Sequence, residues 1–222
     1  MLRPELLLHS QRVPVTPLNA ATLLLLRDRA DGGWEVLMTR RSDKASFVPG
    51  AYVFPGGGIE AQDMQAHAQV QHREDMSAEA LTAAIAAVRE TMEEMGVLLA
   101  VHANGRAATQ TDVDALDRMT PLWPQLANAG LQLDVRAVWQ IAHWTADRNL
   151  PRRFAVPFFV ARMPEGQTPV ADESEQFEPV WVNPQEALDR YQCGQMPMIF
   201  PTLRTLERLT RYPTAQAVLD AV

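Results

Sequence analysis

Arg89-Glu90-Thr91-Met92-Glu93-Glu94-Met95-Gly96-Val97 sets three carboxylates close together in the chain. Glu90, Glu93 and Glu94 stand at i, i+3 and i+4, so a helix projects all three from one face. Like charges at that spacing cost a helix roughly 0.2–0.5 kcal/mol per pair. Arg89 reaches Glu93 at i+4 but neutralises one charge only. A hard divalent cation, Mg²⁺ or Mn²⁺, offsets the crowding better, because carboxylate oxygens suit an octahedral shell that keeps several waters. Taken alone, the E-x-x-E-E pattern reads first as a solvated acidic face. Its neighbours change that reading.

Upstream, Ser77 is a suitable N-cap and Glu79 sits in the positive first turn. Leu81, Ile85, Val88, Met92 and Met95 step by four, three, four and three, which predicts one apolar stripe on a long helix. Gly96 suits its C-terminal stop. Further upstream, Ala51 to Phe54 reads as a short strand halted by Pro55 and Gly56-Gly57-Gly58. Asn19 to Leu26 and Trp34 to Thr39 read as strands joined through the turn signal Asp31-Gly32-Gly33, a hairpin. Between the glycines and the helix, Glu60 to Met76 is polar and without periodicity, and reads as a loop. Downstream, Asp112 to Asn128 reads as helical. Ala137 to Trp144, Phe154 to Ala161 and Pro179 to Val182 read as strands, and Pro184 to Tyr191 and Pro201 to Arg211 as helices. This mixed order predicts an α/β (α+β) protein, an α/β/α sandwich around a mixed sheet.

The chain has 222 residues, 47% hydrophobic and 21% charged. That predicts a single domain over 1–222, with an insertion at about 64–76 and a helical C-terminal tail at about 184–222. The formal net charge of -7 gives no bulk attraction to nucleic acid or anionic membranes. A lone cysteine, Cys193, excludes an intrachain disulfide and a cysteine-rich zinc site, and fits a reducing cytoplasm. Leu6 to Leu8, among Arg3, Glu5, His9 and Arg12, is too short for a signal-peptide core. Without a long apolar run, no membrane-spanning helix is expected. The five histidines show no ligand spacing.

These residues resemble the Nudix box, G-x5-E-x7-R-E-U-x-E-E-x-G-U, where U is aliphatic. Arg89, Glu90, Glu93, Glu94, Gly96 and Val97 match, and Thr91 stands at the first U. Gly57 matches the first glycine, and Asp63 stands six residues on, where the pattern has glutamate. Residues 64 to 88 then number 25 where the pattern has seven, so 18 are extra. The flanking Val36 to Ser42, Phe47 to Gly50, Val53 to Gly57, Pro151 to Phe154, Trp181 to Leu188, and Gly194 followed by Pro201-Thr202-Leu203 are similar to the split-box subgroup. That subgroup includes coenzyme A diphosphatases.

The resemblance implies a Mg²⁺- or Mn²⁺-dependent hydrolase that splits X from a nucleoside diphosphate by attack of water on phosphorus. It implies Glu90, Glu93 and Glu94 as metal ligands, directly or through water, completed by a carbonyl of Gly57 or Gly58. It implies Arg89 as the residue that orients a glutamate. A general base is expected in Asp172-Glu173-Ser174-Glu175, with Glu175 preferred to Glu173. Arg40, Arg41 and Arg153 are candidates for substrate phosphates, each against a reading as solvated strand-end charge. Phe47, Trp144 and Phe154 could stack on a base, although core packing is the simpler reading. Coenzyme A or acyl-coenzyme A is the first substrate class, and an ADP-sugar or dinucleotide the second. A ligand sensor that no longer cuts is a third reading, opposed by the intact glutamates, and an RNA decapping role is disfavoured by the acidic balance. The family admits a homodimer.

Overall fold

The structure, a computed structural model, describes residues 15–45, 48–174 and 176–222. Phe47 and Glu175 lie outside the described residues.

The hairpin expected around Asp31-Gly32-Gly33 forms. Strands β1 (Leu18–Asp28) and β2 (Trp34–Arg41) pair antiparallel from Leu26↔Val36 to Asp28↔Trp34. Beyond Leu26 the two strands separate. Strand β3 (Tyr52–Val53) pairs with β2, and β4 (Gly56–Gly58) pairs with β1. The glycine run is therefore wedged into the split between two central strands. Divergence of neighbouring strands is where α/β sheets open crevices for ligands. The remaining strands of this sheet are β8 (Trp139–Thr145), β9 (Phe154–Arg162) and β10 (Gln176–Val182). Their order is β10-β2-β1-β9-β8, with β9 parallel to β1 and the other pairs antiparallel.

β1 is buried on both faces, which accounts for its unbroken apolar run. Ala21, Leu23 and Leu25 face one core with helix α2 (Ala78–Met95). Leu24 and Leu26 face the other, built with α5 (Pro184–Gln192), α6 (Phe200–Leu209) and α7 (Ala215–Leu219). Helices on both faces of a mixed sheet make the expected α/β/α sandwich.

Ser77 caps α2 by accepting from the Ala80 N–H, and Gly96 closes it at φ 60, where its N–H donates to the Met92 carbonyl. The expected single stripe is exceeded: Leu81 to Arg89 is buried all round. The cause lies in the segment read as a loop. It carries α1 (Ala61–Gln65), a 3-10 turn (His67–Gln69) and β5 (Val70–Gln71). β5 pairs with β7 (Leu131–Asp134), which also pairs with β6 (Ala100–His102), and Val70, Leu131 and Leu133 pack into the same core as α2. α2 is thus enclosed between two sheets. The helix read over 112–128 is two, α3 (Gln110–Asp114) and α4 (Leu122–Ala129), the second starting after Pro121. Proline disfavours helical backbone in the residue before it, which separates the two.

Candidate active site

The C-terminal turns of α2 lie against β4. Glu90 lies close to it: a Cβ placed on Gly57 would come within 2.4 Å of its carboxylate carbon. Only glycine leaves room for that carboxylate beside the backbone.

Arg89 organises the cluster. It is 1% exposed, and each of its five N–H donors has a partner. Nε and Nη2 grip Asp63 bidentately at 2.9 and 3.1 Å. Nη1 donates to Glu90 Oε1 and Glu93 Oε2, each at 3.0 Å, and Nη2 donates to the Gly58 carbonyl at 2.8 Å. Asp63 is fully buried and accepts the Glu60 N–H at 2.8 Å as well. Despite the unusual spacing, Asp63 thus meets Arg89 within this cluster. Burial works against the Arg89 charge, but the Asp63 hydrogen bond and the Glu90, Asp63 and Glu93 carboxylates outweigh it and hold the guanidinium pKa above its usual value.

Glu94 is held from two sides. The Gly56 N–H donates to Oε2 at 2.9 Å, and Gln176 Nε2 donates to Oε1 at 2.7 Å. Burial pushes its pKa up to about 8 against those hydrogen bonds. Burial likewise pushes Glu90 up to about 7, opposed by Arg89 and reinforced by Glu93. Glu93 is raised for the same reason. Three carboxylates with raised pKa values around one arginine form a site short of positive charge.

This is the donor set a hard divalent cation needs. The carboxylate oxygens of Glu90, Glu93 and Glu94 could hold such a cation, whereas the Gly58 carbonyl already accepts from Arg89. Among the described residues, no three acidic, histidine or cysteine side chains converge as a finished cation site. Arg89 holds Glu90 and Glu93, while Gly56 and Gln176 hold Glu94.

The loop before β10 docks on the end of α2, where the N–H groups of Val170 and Asp172 donate to the Met95 and Glu94 carbonyls. That brings the acidic stretch beside the cluster. Glu173 is exposed there, with φ 59. Glu175, the preferred base, falls outside the described residues. The three arginines separate. Arg41 stands opposite Gln176 in the β2–β10 register, and its charge acts on Glu94. Arg40 is engaged with Asp43 at 2.9 Å and Glu178 at 3.5 Å. Arg153 donates to the carbonyls of Ala146 and Val15. Trp144 packs edge-on against Phe200, with ring centroids 5.7 Å apart, and Phe154 lies under the Arg152 guanidinium. Gln176 and the Gly56 N–H, two of the groups that hold Glu94, carried no sequence signal.

An arginine-centred carboxylate helix packed on a glycine strand, inside an α/β/α sandwich, is the arrangement that the resemblance to the Nudix box implies. The comparisons agree, although no family model matches the chain. Nudix hydrolase 7, as one Caenorhabditis elegans relative is named, is 28% identical over 180 residues, which are 79% of this chain and 56% of that protein. Acyl-coenzyme A diphosphatase NUDT19 of Xenopus laevis is 25% identical over 230 residues, covering 81% of this chain and 60% of that protein. The chain thus spans less than two thirds of these curated relatives. A crystal structure of a NUDIX hydrolase from Alicyclobacillus acidocaldarius matches with a TM-score of 0.80 at 25% identity, over 92% of this chain and 96% of that one. The NUDIX domain of Shewanella oneidensis NrtR, at 16% identity and a TM-score of 0.50 over 95% of this chain and 98% of that one, shares the fold. The chain is similar to Nudix hydrolases in both sequence and fold.

Proposed function

We propose that the chain is a Mg²⁺- or Mn²⁺-dependent Nudix pyrophosphohydrolase, acting on a nucleoside diphosphate linked to X. The observation that carries this reading is the Glu90 carboxylate lying against Gly57 while Arg89 holds Glu90, Glu93 and Asp63 together. A cation bound by Glu90, Glu93, Glu94 and the Gly57 carbonyl would neutralise phosphate oxygens and acidify the attacking water. Arg89 fixes the carboxylates from behind. Glu173 on the docked loop, or Glu175 outside the described residues, takes the proton from water, and Arg41, whose charge acts on Glu94, steadies the phosphate. Arg40 and Arg153 would join only by leaving their present partners.

Coenzyme A and its acyl derivatives are the favoured substrates. The split-box residues support this, as does similarity to a protein named acyl-coenzyme A diphosphatase. An ADP-sugar or dinucleotide is the alternative within the same chemistry. Among the described residues no helix is long and apolar enough to cross a membrane. A cytoplasmic enzyme, as a monomer or homodimer, fits the acidic composition and lone cysteine.

The test is product analysis. Purified protein with Mg²⁺ is given coenzyme A, acyl-coenzyme A, ADP-ribose, NADH and dinucleoside polyphosphates, and products are resolved by chromatography. Phosphopantetheine and a 3′-phosphorylated nucleotide are expected from coenzyme A. Cleavage of ADP-ribose or a dinucleotide alone would move the substrate to the alternative class. Binding without cleavage of any compound would favour a sensor.

A further inference from the structure

Gln176 opens β10, and its side chain is fully buried. Its Nε2 donates to Glu94 Oε1 at 2.7 Å, and its backbone N–H donates to Asp172 Oδ1 at 2.9 Å. Strand pairing sets it opposite Arg41. The backbone on either side is held in an unusual conformation: Glu173 at φ 59 and Glu178 at φ 51, with the β2–β10 register shifting between Phe177 and Val180. Non-glycine residues at such φ values persist where surrounding structure fixes them, and bulges re-aim side chains near functional sites.

The Oε1 of this amide is buried and has no hydrogen-bond partner among the described residues. An unpaired buried acceptor lowers stability. An apolar side chain of equal length would fill the space without that penalty. What the amide adds is one donor, directed at Glu94. The form of Glu94 that would hold a cation is the ionised one, which can only accept, so the amide nitrogen has to face it. With the Gly56 N–H on Oε2, this donor leaves Glu94 little freedom to rotate.

We infer that Gln176 is a positioning residue, which fixes the Glu94 carboxylate in the orientation a divalent cation requires. The inference rests on the metal-dependent reading of α2. Groups that orient metal ligands through a hydrogen bond typically change metal affinity by about 10–100-fold when removed.

The test measures Mn²⁺ binding to substrate-free protein by electron paramagnetic resonance, for wild type, Gln176→Met and Glu94→Gln, with folding checked by near-ultraviolet circular dichroism and melting. Gln176→Met is expected to keep the fold and weaken Mn²⁺ binding by about 10–100-fold. It is also expected to raise the Mg²⁺ concentration needed for turnover while leaving substrate KM at saturating Mg²⁺ unchanged. A role in packing alone would not give that split. If Gln176→Met binds Mn²⁺ like wild type while Glu94→Gln does not, the positioning role is wrong and the metal reading stands. If wild type binds no Mn²⁺, both fall together. Should Gln176→Met fail to fold, Gln176→Leu, which also lacks the donor and adds no charge or metal ligand, is judged by the same criteria.

Discussion

Arg89 and Arg40 carry the same side chain in opposite circumstances. Arg89 is buried, with all five donors engaged by Asp63, Glu90, Glu93 and the Gly58 carbonyl. Arg40 lies at the end of β2 and meets two exposed carboxylates, Asp43 and Glu178. Water could replace either Arg40 partner at little cost. It cannot do so for Arg89, because breaking a buried pair leaves an uncompensated charge in a poorly solvated place. The comparison teaches that charge in this molecule has two uses. On the rim it is solvated and free to change partners. Around α2 it is a fixed scaffold that presents carboxylates.

Removing one half of the buried pair is the strongest way to break that contrast. Asp63→Ala strands Arg89, and the expected loss is about 3–5 kcal/mol of unfolding free energy by denaturant titration. A loss no larger than that of an exposed pair would mean Asp63 is not the anchor. Gly57→Ala comes next. Its Cβ would collide with the Glu90 carboxylate, so Glu90 must move. Displacement of a reacting group by about 1 Å can lower turnover about 10²-fold, and kcat/KM at saturating Mg²⁺ should fall on that scale. Unchanged kcat/KM would place Glu90 outside the reaction.

The carboxylates also predict a pH dependence. Glu90 and Glu94 have pKa values of about 7 and 8 in the fold, against 4.5 as the ordinary value. Raised values mean the folded chain binds protons more tightly than the unfolded chain. Their contribution to stability is complete below the ordinary value and is lost as pH rises through 7 and 8. Metal-free protein should therefore melt lower near pH 9 than near pH 6, and saturating Mg²⁺ should narrow the gap by favouring the ionised forms (melting with EDTA against melting with Mg²⁺ at each pH, about one unit beyond these values on either side). A gap that Mg²⁺ leaves unchanged would show that the cation does not meet these groups. The smallest effect is expected at the rim. Arg40→Ala should cost no more than about 1 kcal/mol of stability by the same titration, because its partners are exposed. A larger loss would dissolve the contrast with Arg89.

Much of this was readable in the chain because it depends on local spacing. The caps Ser77 and Gly96, the i, i+3, i+4 carboxylates and the Asp31-Gly32-Gly33 turn are set by neighbouring residues. Long-range pairing was not readable. β4, β5 and β6 are two or three residues long and exist because of partners far along the chain. The enclosure of α2 followed from the same limit. Ala83, Ala84, Ala86 and Ala87 add little to an apolar stripe, yet their small size admits a close second layer. The carboxylate face was visible, but what holds Glu94 was not. Gln176 is an uncharged residue before a strand, and a backbone N–H such as that of Gly56 has no sequence signature.

Glu94→Gln tests the central claim most directly. The substitution keeps the shape and removes the charge, and Gln176 can turn its amide to accept from the new donor with its unpaired Oε1. Cleavage of the best substrate by this variant and by wild type would be compared at saturating Mg²⁺, with melting measured on the same samples. A fall of several orders of magnitude in turnover, with the melting temperature kept or raised in the absence of metal, is the predicted result. A folded variant that cleaves at the wild-type rate would contradict the account, because the carboxylate face of α2 would then have no part in the chemistry.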